Sequence, residues 1–535
     1  MGQEQSTLEK NGYKIESETN NGVVAIKNSD RYLIRKLKIS TDAEFIAEIE
    51  ILKTITHPHI MSTKNSFKDE DQNTYYVVMD YCLGGSLAEK LKEKGECLQE
   101  FEALSWTVEM CMALRTIHEK GLLHRALTPE NIFFTQSGTL LLSGFGKIQR
   151  SSKNTNLDTV GNELINYSAP EVFTEETYDS KSEIWSMGCI LHELCTQQFA
   201  FSAETTGKLI SKIISGPYPS LPDQCSSEFC ELLRDILNRD PHSRPTACEI
   251  LAHPLTITCL SKKSKTTAEH LQTQLNNLRA VADNLERVHQ GTTIGSLAGG
   301  VIGAVGGITS IVGLILAPFT LGASLVVTGI GVGVGVAGGA TAGVSNITNM
   351  VNQSSDRKAI ENIIKEFEEQ INAVAVWLQE ISNSLQMIRG RCYSPDMSNN
   401  EDSNFNQENW ARFGPTVGMG LGSVTELFRL LRVVNIGKIA AQASKAVRVA
   451  ELATGAISAL FLAVDIFFIA MDAKEIHHIR QKDTNGKTCS EILKFVQSIR
   501  QAADELQGVL DELKCIISAI PLLEDERELE WQHMD

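Results

Sequence analysis

Two short segments carry the residues that could do chemistry. The first reads His124-Arg125-Ala126-Leu127-Thr128-Pro129-Glu130-Asn131, and the second Leu141-Leu142-Ser143-Gly144-Phe145-Gly146. Loops of this pattern perform phosphoryl transfer when each carries an aspartate. One aspartate orients the attacking hydroxyl and the other holds Mg²⁺. The two positions here are Ala126 and Gly144. Alanine has no carboxylate to accept a proton, and glycine has no oxygen for a hard cation. Asn131 keeps one amide oxygen, which is a weak ligand for Mg²⁺ by itself. Thr128 stands where such a loop carries a lysine.

The segments around these loops resemble the NIMA-related (Nek-type) serine/threonine protein kinases. The resemblance rests on Val77-Val78-Met79-Asp80-Tyr81-Cys82-Leu83-Gly84-Gly85, Ser182-Glu183-Ile184-Trp185-Ser186-Met187-Gly188-Cys189, His192-Glu193-Leu194-Cys195 and Lys212-Ile213-Ile214-Ser215-Gly216. It covers about residues 10–255 and implies a bilobal α+β kinase-like fold over residues 10–257. Ala169-Pro170-Glu171 and Arg244-Pro245 also match. The resemblance implies a buried structural ion pair between Glu171 and Arg244. A buried pair is costly once half of it is lost, so retention of both partners argues that the folded lobe still matters.

The nucleotide-facing positions are degenerate. Counted back from the third strand, the glycine-rich loop falls on Glu16, Glu18 and Asn21. Glycines there let backbone N–H groups approach phosphates, and two carboxylates would repel them. Val24-Ala25-Ile26-Lys27 looks like the kinase strand motif, yet too little chain precedes it to build a first hairpin as well. Arg31-Tyr32-Leu33-Ile34-Arg35-Lys36 fits the third strand better, with Arg35 at the lysine position and Glu48 as its helix partner. A guanidinium fork does not replace a lysine point charge on phosphate. If Lys27 is the strand lysine instead, one ATP contact is restored. The expectation is a pseudokinase with no intact catalytic residue, no metal site and no cofactor. ATP and Mg²⁺ enter only if the alternative of a weakly active, membrane-tethered kinase holds.

A chain of 535 residues exceeds one core. Its net charge is −17, which argues against nucleic acid as partner. The 12 cysteines show no C-x-x-C pairs. The first residues show no apolar signal-peptide core, so reduced thiols in the cytoplasm are expected and secretion is not. Residues 1–9 form a myristoylation-type segment, Met1-Gly2-Gln3-Glu4-Gln5-Ser6, with Gly2 as acceptor. One acyl chain binds membranes marginally, so a second anchor is required.

Residues 258–267 read as a polar linker, followed by a helical region over 268–520 and an acidic tail at 521–535. Leu271, Leu275, Leu278, Ala282 and Leu285 begin a seam in alternating steps of four and three. Ile360, Ile364, Phe367, Ile371, Val374, Leu378, Ile381, Leu385 and Ile388 form a second. A third runs Ile492, Val496, Ile499, Ala503, Leu506, Leu510, Leu513, Ile517. These seams predict an all-α helical bundle, with protein partners expected on the amphipathic helices and on the kinase-like lobe. Residues 390–415 are polar and read as a flexible loop.

No Lys, Arg, Asp or Glu occurs from Val288 to Ser355. Within it, residues 294–344 read as an apolar hairpin turning at Pro318. Each arm is long enough to cross a hydrocarbon core of ~30 Å. Gly295, Gly299, Gly303 and Gly307 lie four apart, as do Gly331, Gly335, Gly339 and Gly343. Such bare faces permit close helix packing in a bilayer, and equally in a soluble core. Residues 452–471 form a further apolar helix with one acid, Asp465, which is costly at mid-bilayer unless neutral, paired or facing water.

Thr309-Ser310-Ile311-Val312-Gly313-Leu314-Ile315-Leu316-Ala317-Pro318-Phe319-Thr320-Leu321-Gly322-Ala323-Ser324-Leu325 resembles the apolipoprotein L family, as does Ala459-Leu460-Phe461-Leu462-Ala463-Val464-Asp465-Ile466. The resemblance implies a helical domain that binds lipid, with membrane insertion and permeabilisation among the family's activities. Membrane lipids are therefore the expected partner. A soluble lipid-binding or transport protein remains the other alternative.

Overall fold

The computed structural model describes residues 7–19, 22–28, 30–38, 43–69, 74–94, 97–144, 162–175, 177–297, 353–392, 436–478 and 485–520. They belong to two compact units. One comprises Met1–Ser261, Glu380–Ala440 and Pro521–Asp535, and the other Lys262–Gln379 and Ala441–Ile520.

The first unit opens with a five-stranded antiparallel sheet in the order β1-β2-β3-β5-β4. Its strands are β1 (Lys14–Thr19), β2 (Gly22–Lys27), β3 (Asp30–Lys38), β4 (Thr63–Asp69) and β5 (Thr74–Asp80). Successive side chains of a strand point to opposite faces. On β5, Tyr75, Val77 and Met79 pack with Leu33, Ile49, Met61 and Phe133. Tyr76 and Val78 pack on the other face with Leu8, Tyr13, Ala25 and Ile34. The run Tyr75–Met79 is apolar throughout because both faces are covered. Arg35 is paired in register with Val77 on β5, and sits two positions from Leu33 on the same strand face. Helix α1 (Ala43–Lys53) delivers Ile49 to that face and carries Glu48 beside it.

The second lobe contains α2 (Leu87–Lys94), α3 (Glu100–Glu119), a hairpin of β6 (Ile132–Phe134) with β7 (Leu140–Leu142), α4 (Asn162–Ile165), α5 (Pro170–Thr174), α6 (Ser180–Thr196), α7 (Thr206–Ser215), α8 (Ser227–Ile236) and α9 (Ala247–Leu251). Helix α3 is buried nearly all round between Val108 and Leu114, as a central helix must be. Helix α6 begins at a capping box: Asp179 accepts from the backbone of Lys181 and Ser182, and Ser182 answers the Asp179 N–H. The β6–β7 hairpin holds the segment carrying Thr128 and Asn131 next to the one carrying Gly144, because Ser143 N donates to Asn131 O at 2.9 Å.

Among the described residues four long helices follow: α10 (Pro254–Leu297), α11 (Gln353–Cys392), α12 (Ile436–His478) and α13 (Asn485–Ser518). The expected linker at 258–267 is instead an uninterrupted part of α10. Leu260, Ser261, Ser264, Ala268, Leu271 and Leu275 are all buried, so short hydroxyl side chains continue the apolar seam. Lys262 and Lys263 lie half-buried between them while Lys265 is exposed, and Lys263 Nζ sits 4.9 Å from the Trp377 ring centre. Glu380, Ser384, Leu385 and Ile388 of α11 are buried and belong to the first unit. There Arg115 bonds Glu380, and Ser384 Oγ donates to Leu251 O at 3.0 Å.

In the second unit α10 and α13 run antiparallel. Gln272 and Gln507 exchange amide hydrogen bonds at 2.9 Å each, and Arg500 Nη2 reaches Asp283 and Glu286 at 2.6 Å. Phe467 of α12 stacks on Phe495 of α13 at 4.4 Å. The apolar stretch 452–471 lies inside α12. Of the apolar hairpin 294–344, residues 294–297 end α10, and the remainder lies outside the described residues. So do residues 1–6, 393–415 of the expected loop, and 521–535.

Candidate functional site

Arg35, Ala126, Thr128, Asn131 and Gly144 are brought together where the first lobe meets the β6–β7 hairpin. Arg35 is 4% exposed, and its Nη1 donates to Asn131 Oδ1 at 3.1 Å. Asn131 Nδ2 donates to Ala126 O at 2.7 Å and lies 3.4 Å from Thr128 Oγ1. Both ends of the one surviving amide are therefore engaged. Gly144 has φ +88, and a Cβ there would collide with Arg35 Nη1 and Asn131 Oδ1. The guanidinium thus fills the space that a carboxylate at 144 would need.

Arg35 Nε and Nη2 meet no acceptor among the described residues. Burial lowers Arg35 to about 10, with no acidic neighbour opposing that shift. The nearest compensation is the Phe133 ring, 5.9 Å from the guanidinium carbon. His124 is fully buried with Nε2 at 2.8 Å from Ser143 O. Burial brings it down to about 4, so it is neutral at pH 7 and Nε2 carries the proton that Ser143 O accepts.

The pairing expected between Arg35 and Glu48 is not formed. Arg125 takes Glu48 instead, with Nη1 to Oε2 at 2.6 Å and Nη2 to Oε1 at 2.8 Å. The reason is local. Arg125 adopts φ 63, a left-handed conformation that non-glycine residues seldom take. Its N–H is held by Glu183 Oε1 at 2.7 Å. The Arg35 fork is meanwhile drawn to Asn131. Glu183 is fully buried, with His118 Nε2 at 2.7 Å and Tyr178 donating at 3.2 Å.

Glu16 and Glu18, expected in a phosphate-facing loop, are exposed residues of strand β1. Glu16 Oε1 accepts from Arg31 at 2.6 Å. The hairpin closes at the Thr19–Gly22 pair, and Asn21 lies outside the described residues. Lys27 is on β2, where its Nζ donates to Asn11 O at 3.1 Å and lies 4.5 Å from the Tyr13 ring centre. It is not part of the Arg35 cluster. Glu171 and Arg244 meet in a two-pronged pair at 2.9 and 3.1 Å, with Ser182 Oγ also donating to Glu171 at 2.8 Å. Burial raises the Glu171 carboxyl, but Arg244 outweighs it and leaves it below the ordinary value. Arg125 and Glu183 went unassigned in the sequence. Arg125 was visible in the 124–131 loop, but nothing local announced its reach to Glu48.

The donor set does not suit Mg²⁺. A hard divalent cation needs several oxygens, and this corner offers one amide oxygen already bonded to a fixed cation. Among the described residues, no three His, Cys, Asp or Glu side chains cluster as a metal site.

In the second unit, residues 445–467 of α12 form the one described segment long and apolar enough to cross a membrane. Leu452, Leu462 and Ile466 are more than half exposed on it. With Gly455 and Ala459, both exposed, they follow steps of three and four along one helix face. Asp465 is half-buried beside them. Of the spaced glycines, Gly295 lies on α10. Gly299, Gly303, Gly307, Gly331, Gly335, Gly339, Gly343 and Pro318 lie outside the described residues, as does Gly2.

Residues 11–256 match the family model for the protein kinase domain, and residues 262–515 match that for apolipoprotein L. Curated relatives are serine/threonine-protein kinases. Nek1 of Mus musculus is 35% identical over 43% of this chain and 19% of its own length. Nek4 of Mus musculus is 32% identical over 50% of the chain and 35% of its own length. Nek3 of Mus musculus is 34% identical over 45% and 47% respectively. The chain thus spans between about a fifth and about half of these relatives' length. It joins a Nek-related protein kinase domain to an apolipoprotein L domain.

Proposed function

We propose that the chain is a lipid- and membrane-binding protein whose Nek-like kinase module is catalytically silent and regulates or docks the helical half. The observation that carries the silent half is the Arg35–Asn131–Gly144 corner, where a buried cation stands in the space of a metal-binding carboxylate. Kinase catalysis is almost wholly positioning and charge stabilisation, so losing both carboxylates removes its basis. The membrane half rests on the apolipoprotein L match and on the exposed apolar stripe of α12. Such a stripe favours an apolar partner, and a bilayer supplies one. Cytoplasmic membrane association, aided by acylation at Gly2, completes the reading.

Two assays test it. The full chain is mixed with neutral liposomes and scored for co-sedimentation and dye release, beside a Leu462→Glu variant. Binding that the variant weakens supports the reading, and no binding by the full chain overturns it. Phosphate transfer with Mg²⁺ or Mn²⁺ should be absent. Turnover that Asn131→Ala abolishes would establish instead a weakly active, membrane-tethered kinase.

A further inference from the structure

One corner of the first unit gathers cysteines that the kinase-like reading does not use. Cys195 lies in the last turn of α6 and is 1% exposed. Cys225 immediately precedes Ser226, the N-cap of α8, and Cys230 lies on α8 itself. Cys97 is exposed, just ahead of α3. Two anchors bring these chain segments together. Leu98 N donates to Leu194 O at 3.0 Å, which sets Cys97 beside the end of α6. Glu100 accepts from both the N–H and the hydroxyl of Ser226, at 2.6 and 2.7 Å, which draws Cys225 to the same corner. The outcome is a thiol–thiol contact, in which Cys195 Sγ donates a hydrogen bond to Cys225 Sγ.

The two sulfurs are unequal. Cys195 is closed off, whereas Cys225 is half-buried and reaches solvent. Burial first, and then the Glu100 charge, hold the Cys225 thiol above its ordinary value, and the Cys195 S–H opposes them by stabilising its thiolate. Burial raises Cys195 as well. Oxidation at this corner is therefore slow, and it starts at Cys225, the sulfur with both access and a stabilised thiolate. Among the described residues no three His, Cys, Asp or Glu side chains converge as a metal site, so the chemistry open to the pair is a bond between two sulfurs.

We propose that Cys195 and Cys225 form a reversible disulfide that staples the end of α6 to the start of α8, made by hydrogen peroxide and opened by a small thiol. The Cys225 thiolate attacks one peroxide oxygen. The O–O bond breaks, and hydroxide leaves and takes up the proton that Cys225 released. Cys225 is then a sulfenic acid. The Cys195 sulfur attacks it, the S–O bond breaks as the S–S bond forms, and the departing hydroxide takes the Cys195 proton. The two sulfurs lose two electrons in all, and the peroxide gains them as it becomes two waters. The bond closes the chain between residues 195 and 225, which contains α7, and so constrains the unfolded state. The inference does not depend on the kinase module being silent.

The test is peroxide treatment of the full chain, blocking of free thiols with N-ethylmaleimide in denaturant, and peptide mass spectrometry. Cleavage after glutamate separates Cys189 from Cys195 at Glu193, and Cys225 from Cys230 at Glu228. The expected product is a Cys195–Cys225 link, lighter by the mass of two hydrogens and lost on adding dithiothreitol. Cys97→Ser and Cys230→Ser should keep the link, and Cys225→Ser should abolish it. Cys195→Ser should leave Cys225 as a sulfenic acid that dimedone traps. Should Cys195→Ser fail to fold, Cys225→Ser, at a half-buried position, carries the test. Oxidation should also raise the calorimetric unfolding midpoint of the first unit by about 5 °C, and not in Cys225→Ser. Both thiols still free after peroxide, a link from Cys225 to Cys97 or Cys230 in place of Cys195, equally fast linkage in denaturant, or a midpoint that does not rise would each overturn the proposal.

Discussion

At the residue scale the kinase-like half is organised by three arginines in different settings. Arg244 is buried against Glu171 with every requirement met, Arg125 is half-buried against Glu48, and Arg35 is buried with a neutral partner. Removing one member of a fully buried pair leaves an uncompensated charge, which costs about 3–5 kcal/mol. Glu171→Ala should therefore unfold the first unit at markedly lower denaturant, read by circular dichroism, and Glu171→Gln should recover part of the loss. The Arg125–Glu48 pair reaches solvent and is worth less. A double-mutant cycle with Arg125→Ala and Glu48→Ala should give a coupling of about 1 kcal/mol. A coupling indistinguishable from zero would mean that the pair only decorates the loop. Sequence pattern located Arg35 on the third strand, because strand length and hairpin geometry are local. It misassigned Glu48 because a side chain's partner depends on the left-handed turn at Arg125, which no residue pattern near it encodes.

At the element scale the helical seams were the most legible feature. Ile364, Phe367, Ile371, Val374, Leu378, Ile381, Leu385 and Ile388 are all buried on α11, and Val496, Ile499, Ala503, Leu506, Leu510, Leu513 and Ile517 on α13. Periodicity reports the buried face directly. Polarity misled at 258–267, where serines fit the seam and lysine stems lie along it. The α11 seam also carries a pH dependence. Glu366 lies next to Phe367, half-buried, and burial with the charge of Glu369 raises its carboxyl to about 7. The unfolded carboxyl titrates near ~4.3. Between those values the folded chain holds a proton that the unfolded chain releases, so the contribution is present below about 4 and is lost as pH rises through 7. Hydrogen exchange at the α11 amides, corrected for intrinsic rates, should show stronger protection at pH 5 than at pH 8. Glu366→Gln should make the two equal. A difference that survives the substitution would assign the effect to another group.

At the scale of the whole molecule, charge and apolar surface point in opposite directions, and that opposition decides what kind of lipid contact to expect. A net charge of −17 repels anionic vesicles at long range, so electrostatic capture is not the driving term. Apolar burial is, and it does not weaken with salt. The full chain should therefore bind neutral vesicles at least as well as anionic ones, and raising salt should strengthen the anionic case by screening repulsion. Gly2→Ala should lower membrane recruitment in eukaryotic cells without abolishing it, since one acyl chain anchors only marginally. Deleting residues 298–344, an uncharged stretch with glycines four apart, should lower dye release far more, and Gly303→Leu or Gly335→Leu should impair it by blocking close helix approach. Binding that needs anionic lipid, disappears in high salt and survives loss of the 298–344 segment would show that the surface charge pattern, not the apolar helices, makes the contact.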